Sequence, residues 1–157
     1  MGNLQLTSSS FADGDEIPRE CGYKNGNTTP PLTISGIPAG TKSLSIIMDD
    51  PDAMGAVGKV WVHWVVWNID YYDDVSTLHL TELEGSKQHI GTEGITDFGE
   101  VGYGGPAPPD KRHTYVFKLY ALDTKLDLPD KSTKADVEKA MEGHIIEQTQ
   151  LTGTYAP

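Results

Sequence analysis

Asp49-Asp50-Pro51-Asp52-Ala53 leads into the strand-like run Lys59-Val60-Trp61-Val62-His63-Trp64-Val65-Val66-Trp67-Asn68-Ile69. Gly102-Tyr103-Gly104-Gly105-Pro106-Ala107-Pro108-Pro109 leads in the same way into His113-Thr114-Tyr115-Val116-Phe117-Lys118-Leu119-Tyr120-Ala121. Each segment joins a rigid turn to a long apolar run with one histidine near its start. Side chains alternate between the two faces of a strand. His63 is therefore expected to share a face with Trp61, Val65 and Trp67, and His113 to share one with Tyr115, Phe117 and Leu119. Should these strands be neighbours, His63, His113 and Tyr115 converge at one end of a sheet, where small polar ligands are commonly held. Gly104-Gly105-Pro106 brings bare backbone close, which a small ligand needs. Asp-Pro is a frequent turn opener, so part of the role of Asp49, Asp50 and Asp52 is turn chemistry; Asp49 and Asp52 are read as structural and Asp50 as the functional carboxylate. Two histidines with one aspartate also match the facial triad of non-haem iron enzymes. A metal-dependent enzyme using His63, His113 and Asp50 is thus the enzymatic alternative.

The elements that position these residues are mostly strands. Candidates are Leu4–Thr7, Leu32–Ile34, Ser43–Met48, Val60–Ile69, Thr114–Leu122 and His144–Leu151, separated by Gly, Pro, Asn and Asp clusters. Val60–Ile69 is apolar on both faces, as expected of a strand inside a sheet covered on both sides. Lys118 interrupts the second long strand and is expected near solvent. One helix is signalled after Ser132-Thr133, where Thr133 and Asp136 resemble a capping box and Gly143 suits the left-handed stop. Val137, Ala140 and Met141 give it a narrow apolar face. The stretches 8–31, 70–100 and 101–112 read as loops. The expectation is a mainly β chain with one or two short peripheral helices, one domain spanning residues 1–157.

Of the 157 residues, 37% are hydrophobic and 22% charged, an ordinary globular composition. The formal charge of −11 disfavours nucleic acid and anionic membrane surfaces, and Lys111-Arg112 is the only adjacent basic pair. No apolar run approaches the roughly 20 residues that span a bilayer. Met1 to Leu6 has neither a basic start nor a long apolar core, so no signal peptide is read there. The single cysteine, Cys21, allows no internal disulfide and fits a reducing compartment, so a cytoplasmic location is expected.

Several motifs, taken together and in order, resemble the phosphatidylethanolamine-binding proteins, and most closely their short bacterial and archaeal Raf kinase inhibitor-like branch. They are Asp50-Pro51-Asp52-Ala53, Trp61-Val62-His63-Trp64, the glycine- and proline-rich 102–109 segment, and His113-Thr114-Tyr115. Thr29-Pro30-Pro31-Leu32, the 37–44 segment, Tyr120-Ala121-Leu122-Asp123, Met141-Glu142-Gly143-His144-Ile145 and Gly153-Thr154-Tyr155 extend the resemblance over nearly the whole chain. It implies an antiparallel two-sheet β-sandwich with Greek-key connections and a small anion pocket at one end. By motif, Asp50, His63, Gly105, Pro106, His113 and Tyr115 line the pocket, with Trp61 as a wall. Phosphate, acetate or phosphorylethanolamine are the implied ligands. Imidazole and phenol donors and backbone amides suit such oxygens, while Asp50 is expected to fix a histidine tautomer and raise its pKa.

The resemblance implies no cofactor and no catalysis. It leaves open a protein-interaction role, as an inhibitor of a kinase or a serine protease, and a homodimer. Met54 stands where the family often has a second proline, and Ile34 where a tryptophan is usual. The chain ends soon after Tyr155, without the longer helix that partly covers the pocket in mammalian relatives. Asp97-Phe98-Gly99 matches a kinase magnesium motif by letters alone, without the lysine and catalytic-loop motifs that give it meaning. Asn27-Thr28-Thr29 is a sequon read as idle, and no nucleophile elbow is present.

Overall fold

In the structure, a computed structural model, residues 3–69, 77–80 and 91–157 are described. Among the described residues, eight strands form two antiparallel sheets. The smaller runs β1 (Gln5–Thr7), β2 (Leu32–Ser35), β5 (Thr77–Leu80), in that order. The larger has the order β6 (Thr92–Glu93), β4 (Trp61–Ile69), β3 (Ser43–Asp50), β7 (His113–Leu122), β8 (Ile145–Tyr155). The mainly β expectation therefore holds, with two α-helices, α1 (Ala53–Val57) and α2 (Lys134–Met141), at the periphery. Among the described residues no helix is long and apolar enough to cross a membrane.

The larger sheet is buried on both faces. On one, Leu44, Ile46 and Met48 of β3, Trp64 and Val66 of β4, and Tyr115, Phe117 and Leu119 of β7 pack against Leu6, Leu32 and Ile34 of the smaller sheet. Ile34, in place of the family's usual tryptophan, is wholly buried there. On the other face Ile47, Val65, Trp67, Tyr120 and Leu122 pack against Val137 and Met141 of α2. The α2 capping box forms as its sequence suggests: Thr133 Oγ1 accepts from the Asp136 amide at 3.2 Å, and the Asp136 carboxylate accepts from the Thr133 amide at 3.0 Å.

Four details differ from the sequence expectation. The two long strands are not neighbours, because β3 lies between them. The Asp-Pro turn continues into a short helix, α1, whose Ala-Met-Gly-Ala-Val sequence carries weak helical propensity; Gly58 ends it with φ of 79° and its amide on the Met54 carbonyl. Within 70–100, read as loop, the chain contributes β5 and β6; the parts of that stretch at 70–76 and 81–90 lie outside the described residues.

The fourth difference decides the site. Met48 pairs with Trp64 and Asp49 with Val62, so His63 is an extra residue in β4, a β-bulge. Without it, His63 would share the α2 face with Val65 and Trp67, as strict alternation predicts. The bulge instead sends His63 and Trp61 to the side of Asp50 and Tyr115, while Val62 packs toward α2.

Candidate functional site

At the end of β3 the chain must turn, and Asp50, Pro51 and Asp52 make the turn. Asp50 Oδ1 accepts from the Asp52 amide at 3.0 Å, and Asp52 Oδ2 accepts from the Thr114 amide at 2.8 Å. The second bond pins the turn to the start of β7. It leaves the other oxygen of Asp50, 4% exposed, facing His113 Nδ1 at 2.6 Å. The Nε2 of the same ring meets Asp110 Oδ1 at 2.7 Å. Burial alone would lower the His113 pKa, but the bonds to Asp50 and Asp110 outweigh it and raise the pKa above its ordinary value. Asp110 is held low in return, chiefly by its bond to His113.

His63 is arranged differently. Its Nδ1 donates to the Gly104 carbonyl at 2.7 Å, and its own carbonyl accepts from the Gly104 amide at 2.8 Å. A carbonyl can only accept, so Nδ1 carries the proton and the neutral ring keeps a bare lone pair on Nε2. Burial lowers the pKa of this ring, and the carbonyls of Gly104 and Gly105 and the charges of Asp50 and Asp49 only partly offset it. The two histidines are thus pushed in opposite directions.

Tyr115 lies beneath them. Its ring meets His63 edge-on at 5.1 Å and His113 at 6.3 Å. The residue is wholly buried, and its hydroxyl has no partner at hydrogen-bond geometry, with the Asp50 carboxylate and the Ala107 amide beside it at looser geometry. Burial, and then the Asp50 charge, push its ionisation far above the usual phenol range, so it stays a donor. The indole Nε1 of Trp61 is also buried without a partner.

In front of these groups opens a cavity of about 140 Å³ lined by Asp50, Ala53, Ala56, Val57, Trp61, His63, Phe98, Ala107 and Pro109. Its walls are largely apolar and its polar groups sit at the base. Of the seven residues singled out in the sequence, Asp50, Trp61 and His63 line this cavity directly. His113 and Tyr115 are fully buried and touch lining residues from behind. Gly105 and Pro106 do not line it, although the Gly105 carbonyl lies beside the His63 ring. A side chain on Gly105 would run into the Cys21 carbonyl, and its amide already donates to Asn27 Oδ1 at 2.7 Å. The Pro106 carbonyl accepts from the Tyr23 amide, and its ring faces a separate cleft beside Arg19 and Tyr155. The bare backbone here serves close packing against the 19–23 segment.

Two contributors escaped the sequence reading. Phe98 forms a wall, stacked on Tyr23 at 4.1 Å and edge-on to Trp61 and His63 at 5.6 and 5.3 Å. Its neighbour Asp97 accepts from the Val62 amide at 2.8 Å and pairs with Lys59 at 2.9 Å, so the Asp97-Phe98-Gly99 letters have a structural explanation. Asp110 was passed over as a loop residue; its i,i+3 spacing from His113 was the available signal. Among the described residues no cluster of three or more His, Cys, Asp or Glu side chains is arranged to hold a metal ion. Asp50 and His113 face each other as an ion pair rather than a shared centre.

The family model of the phosphatidylethanolamine-binding proteins matches residues 7–156. An uncharacterised-family (UPF0098) protein from Methanothermobacter thermautotrophicus is 41% identical over 153 residues, covering 97% of this chain and 98% of that protein. The crystal structure of a Chlamydia trachomatis protein described as a homologue of the family superposes with a TM-score of 0.83 at 39% identity, covering 97% and 96% of the two chains. The crystal structure of Escherichia coli YbcL, described as a new member of the mammalian family, gives 0.83 at 35% identity and covers 98% of each chain.

Proposed function

The chain belongs to the phosphatidylethanolamine-binding protein family, and we propose that it is a non-catalytic binding module whose pocket takes a small oxyanion or a phosphoryl head group. The observation that carries this reading is the wholly buried, unpartnered hydroxyl of Tyr115 behind a cavity based on Asp50 and His63. A buried donor without a partner costs about 1–3 kcal/mol, and a ligand oxygen that enters past the lining groups Asp50 and His63 would recover it. Asp50 accepts from His113 Nδ1 and helps raise the pKa of that ring, which favours the cationic form as a donor. Trp61 and Phe98 wall off water, so each bond inside is stronger than in solvent.

His63 makes the binding proton-linked. With Nδ1 committed to Gly104, only the protonated ring offers an Nε2–H to an anion. An anion in the cavity raises the depressed pKa of that ring, so binding takes up a proton and affinity falls as pH rises through the histidine range.

The buried Cys21, whose thiol is pushed up to about 11 by burial and by Glu20, is a structural thiol, and a chain with one cysteine fits a reducing, cytoplasmic setting. Calorimetric titration of phosphate at pH 6.5 into wild type and Tyr115→Phe tests the reading. A loss of affinity of about tenfold or more is expected for a bond to a charged oxygen; equal affinity in both proteins would contradict it.

A second reading, a regulator that inhibits a kinase or a serine protease, draws on Met54 and Val57. Both are about half exposed, at 55% and 52%, on α1 at the rim of the cavity. Inhibition that survives Tyr115→Phe but is lost in Met54→Ser/Val57→Ser would favour it.

A further inference from the structure

His113 is wholly buried, yet its two carboxylate partners stand on different footings. Asp50 is 4% exposed and fixed at the end of β3, whereas the Asp110 side chain is 43% exposed. Asp110 sits between Pro109, which lines the cavity, and the first residue of β7. The bonds at its carboxylate are those to His113 and to the amide of its own neighbour Lys111, at 2.9 Å. A carboxylate oxygen from a solvent-facing turn therefore already occupies the Nε2–H lobe of His113, a ring that lies behind the cavity lining.

We propose that Asp110 is a built-in competitor for the anion: its carboxylate caps His113 Nε2–H in the empty site and turns out to solvent when a ligand oxyanion takes that lobe. This rests on the anion-pocket reading above and adds to it a residue that sets affinity. Two carboxylates around one imidazole leave an excess negative charge that opposes any arriving anion; exchanging Asp110 for the ligand removes the excess. The exchange is between like groups, since a carboxylate or phosphoryl oxygen replaces a carboxylate oxygen on the same donor. A site whose competent form is only fractionally populated binds with affinity reduced by that fraction. Removing the competitor therefore strengthens binding without adding any contact.

The test is a calorimetric titration of inorganic phosphate into wild type and Asp110→Ala at pH 6.5, with folding checked by thermal melting. The expected result is phosphate affinity about tenfold or more tighter in the variant, the gain from releasing a mostly closed site. Affinity that is unchanged or weaker while wild type binds phosphate overturns the competitor and leaves the pocket reading standing. Binding by neither protein at millimolar phosphate overturns both. A second measurement guards against a variant that fails to fold: in ¹³C-labelled wild type, the Asp110 carboxylate resonance should move on phosphate addition and saturate with the same constant as the Tyr115 ring. A stationary Asp110 signal beside a moving Tyr115 would refute the exchange.

Discussion

Asp49 and Asp50 are adjacent, both buried, and opposite in use. Asp49 faces the α2 side of the large sheet, where its Oδ2 accepts from Lys118 at 3.1 Å and Lys134 at 2.8 Å. Asp50 faces the other side and meets His113, beside a cavity and an unpartnered tyrosine. Asp49 thus sits between two ammonium groups in a fixed ion-pair cluster. The Asp50 partner is an imidazole whose pKa is raised by its two carboxylates, and its second bond is the one proposed above to exchange. A buried carboxylate becomes part of a functional site through the company it keeps, and the pleat of a single strand is enough to give two neighbours different company.

The largest effect should come from breaking the fixed cluster. Asp49→Ala leaves two lysine ammonium groups facing a vacated buried position, and because those lysines are partly exposed a loss of about 2–4 kcal/mol is expected, somewhat below the fully buried case. Denaturant unfolding should show that loss with phosphate affinity little changed; a large affinity loss at intact stability would erase the contrast between the two faces. Next comes His63→Ala, which opens a hole among aromatic rings and should cost about 1–3 kcal/mol while also weakening phosphate binding.

Tyr115→Phe sharpens the comparison because its two effects have opposite signs. Removing a buried hydroxyl that lacks a partner should leave stability unchanged or raise it by about 1 kcal/mol, while phosphate binding weakens. Parallel losses of both would mean the hydroxyl is already bonded in the empty protein.

The smallest effect is the dependence of stability on pH. His113, raised above its ordinary value, contributes stability that is complete below the unfolded pKa of about 6.5 and is lost as pH rises through the raised value. His63, lowered, does the reverse: its contribution is present above about 6.5 and lost as pH falls through the lowered value. Together they predict a shallow maximum near the ordinary histidine pKa. In Asp50→Asn the high-pH limb should flatten, whereas in Asp49→Ala it should persist.

How much of this was legible in the sequence depended on how local each signal was. The long strands, the α2 capping box and the turn role of Asp52 follow from nearest-neighbour chemistry and were read directly, whereas the ion pairs of Asp49 with Lys118 and Lys134 are long-range and were not. The face occupied by His63 was not, because the bulge arises from the register between β3 and β4, which no single strand encodes. A five-residue helix with glycine at its centre also lacks a helical signature, and α1 exists because the Asp-Pro turn and Gly58 bracket it. Asp110 and Phe98 lie in irregular segments whose paths are set by tertiary contacts, Phe98 against Tyr23 above all. Gly105 and Pro106 carry the expected motif and pack against the 19–23 segment, with the Gly105 carbonyl beside His63.

The central claim, that Tyr115, His63 and His113 act as one anion-binding group, is most directly tested by NMR at pH 6.5. Side-chain resonances of the two histidines and of Tyr115 would be followed while phosphate and then phosphorylethanolamine are added. The account predicts shifts at all three residues that saturate with one common constant, with His63 gaining a proton as the site fills. Silence at millimolar ligand, or shifts at exposed His144 alone, would contradict it.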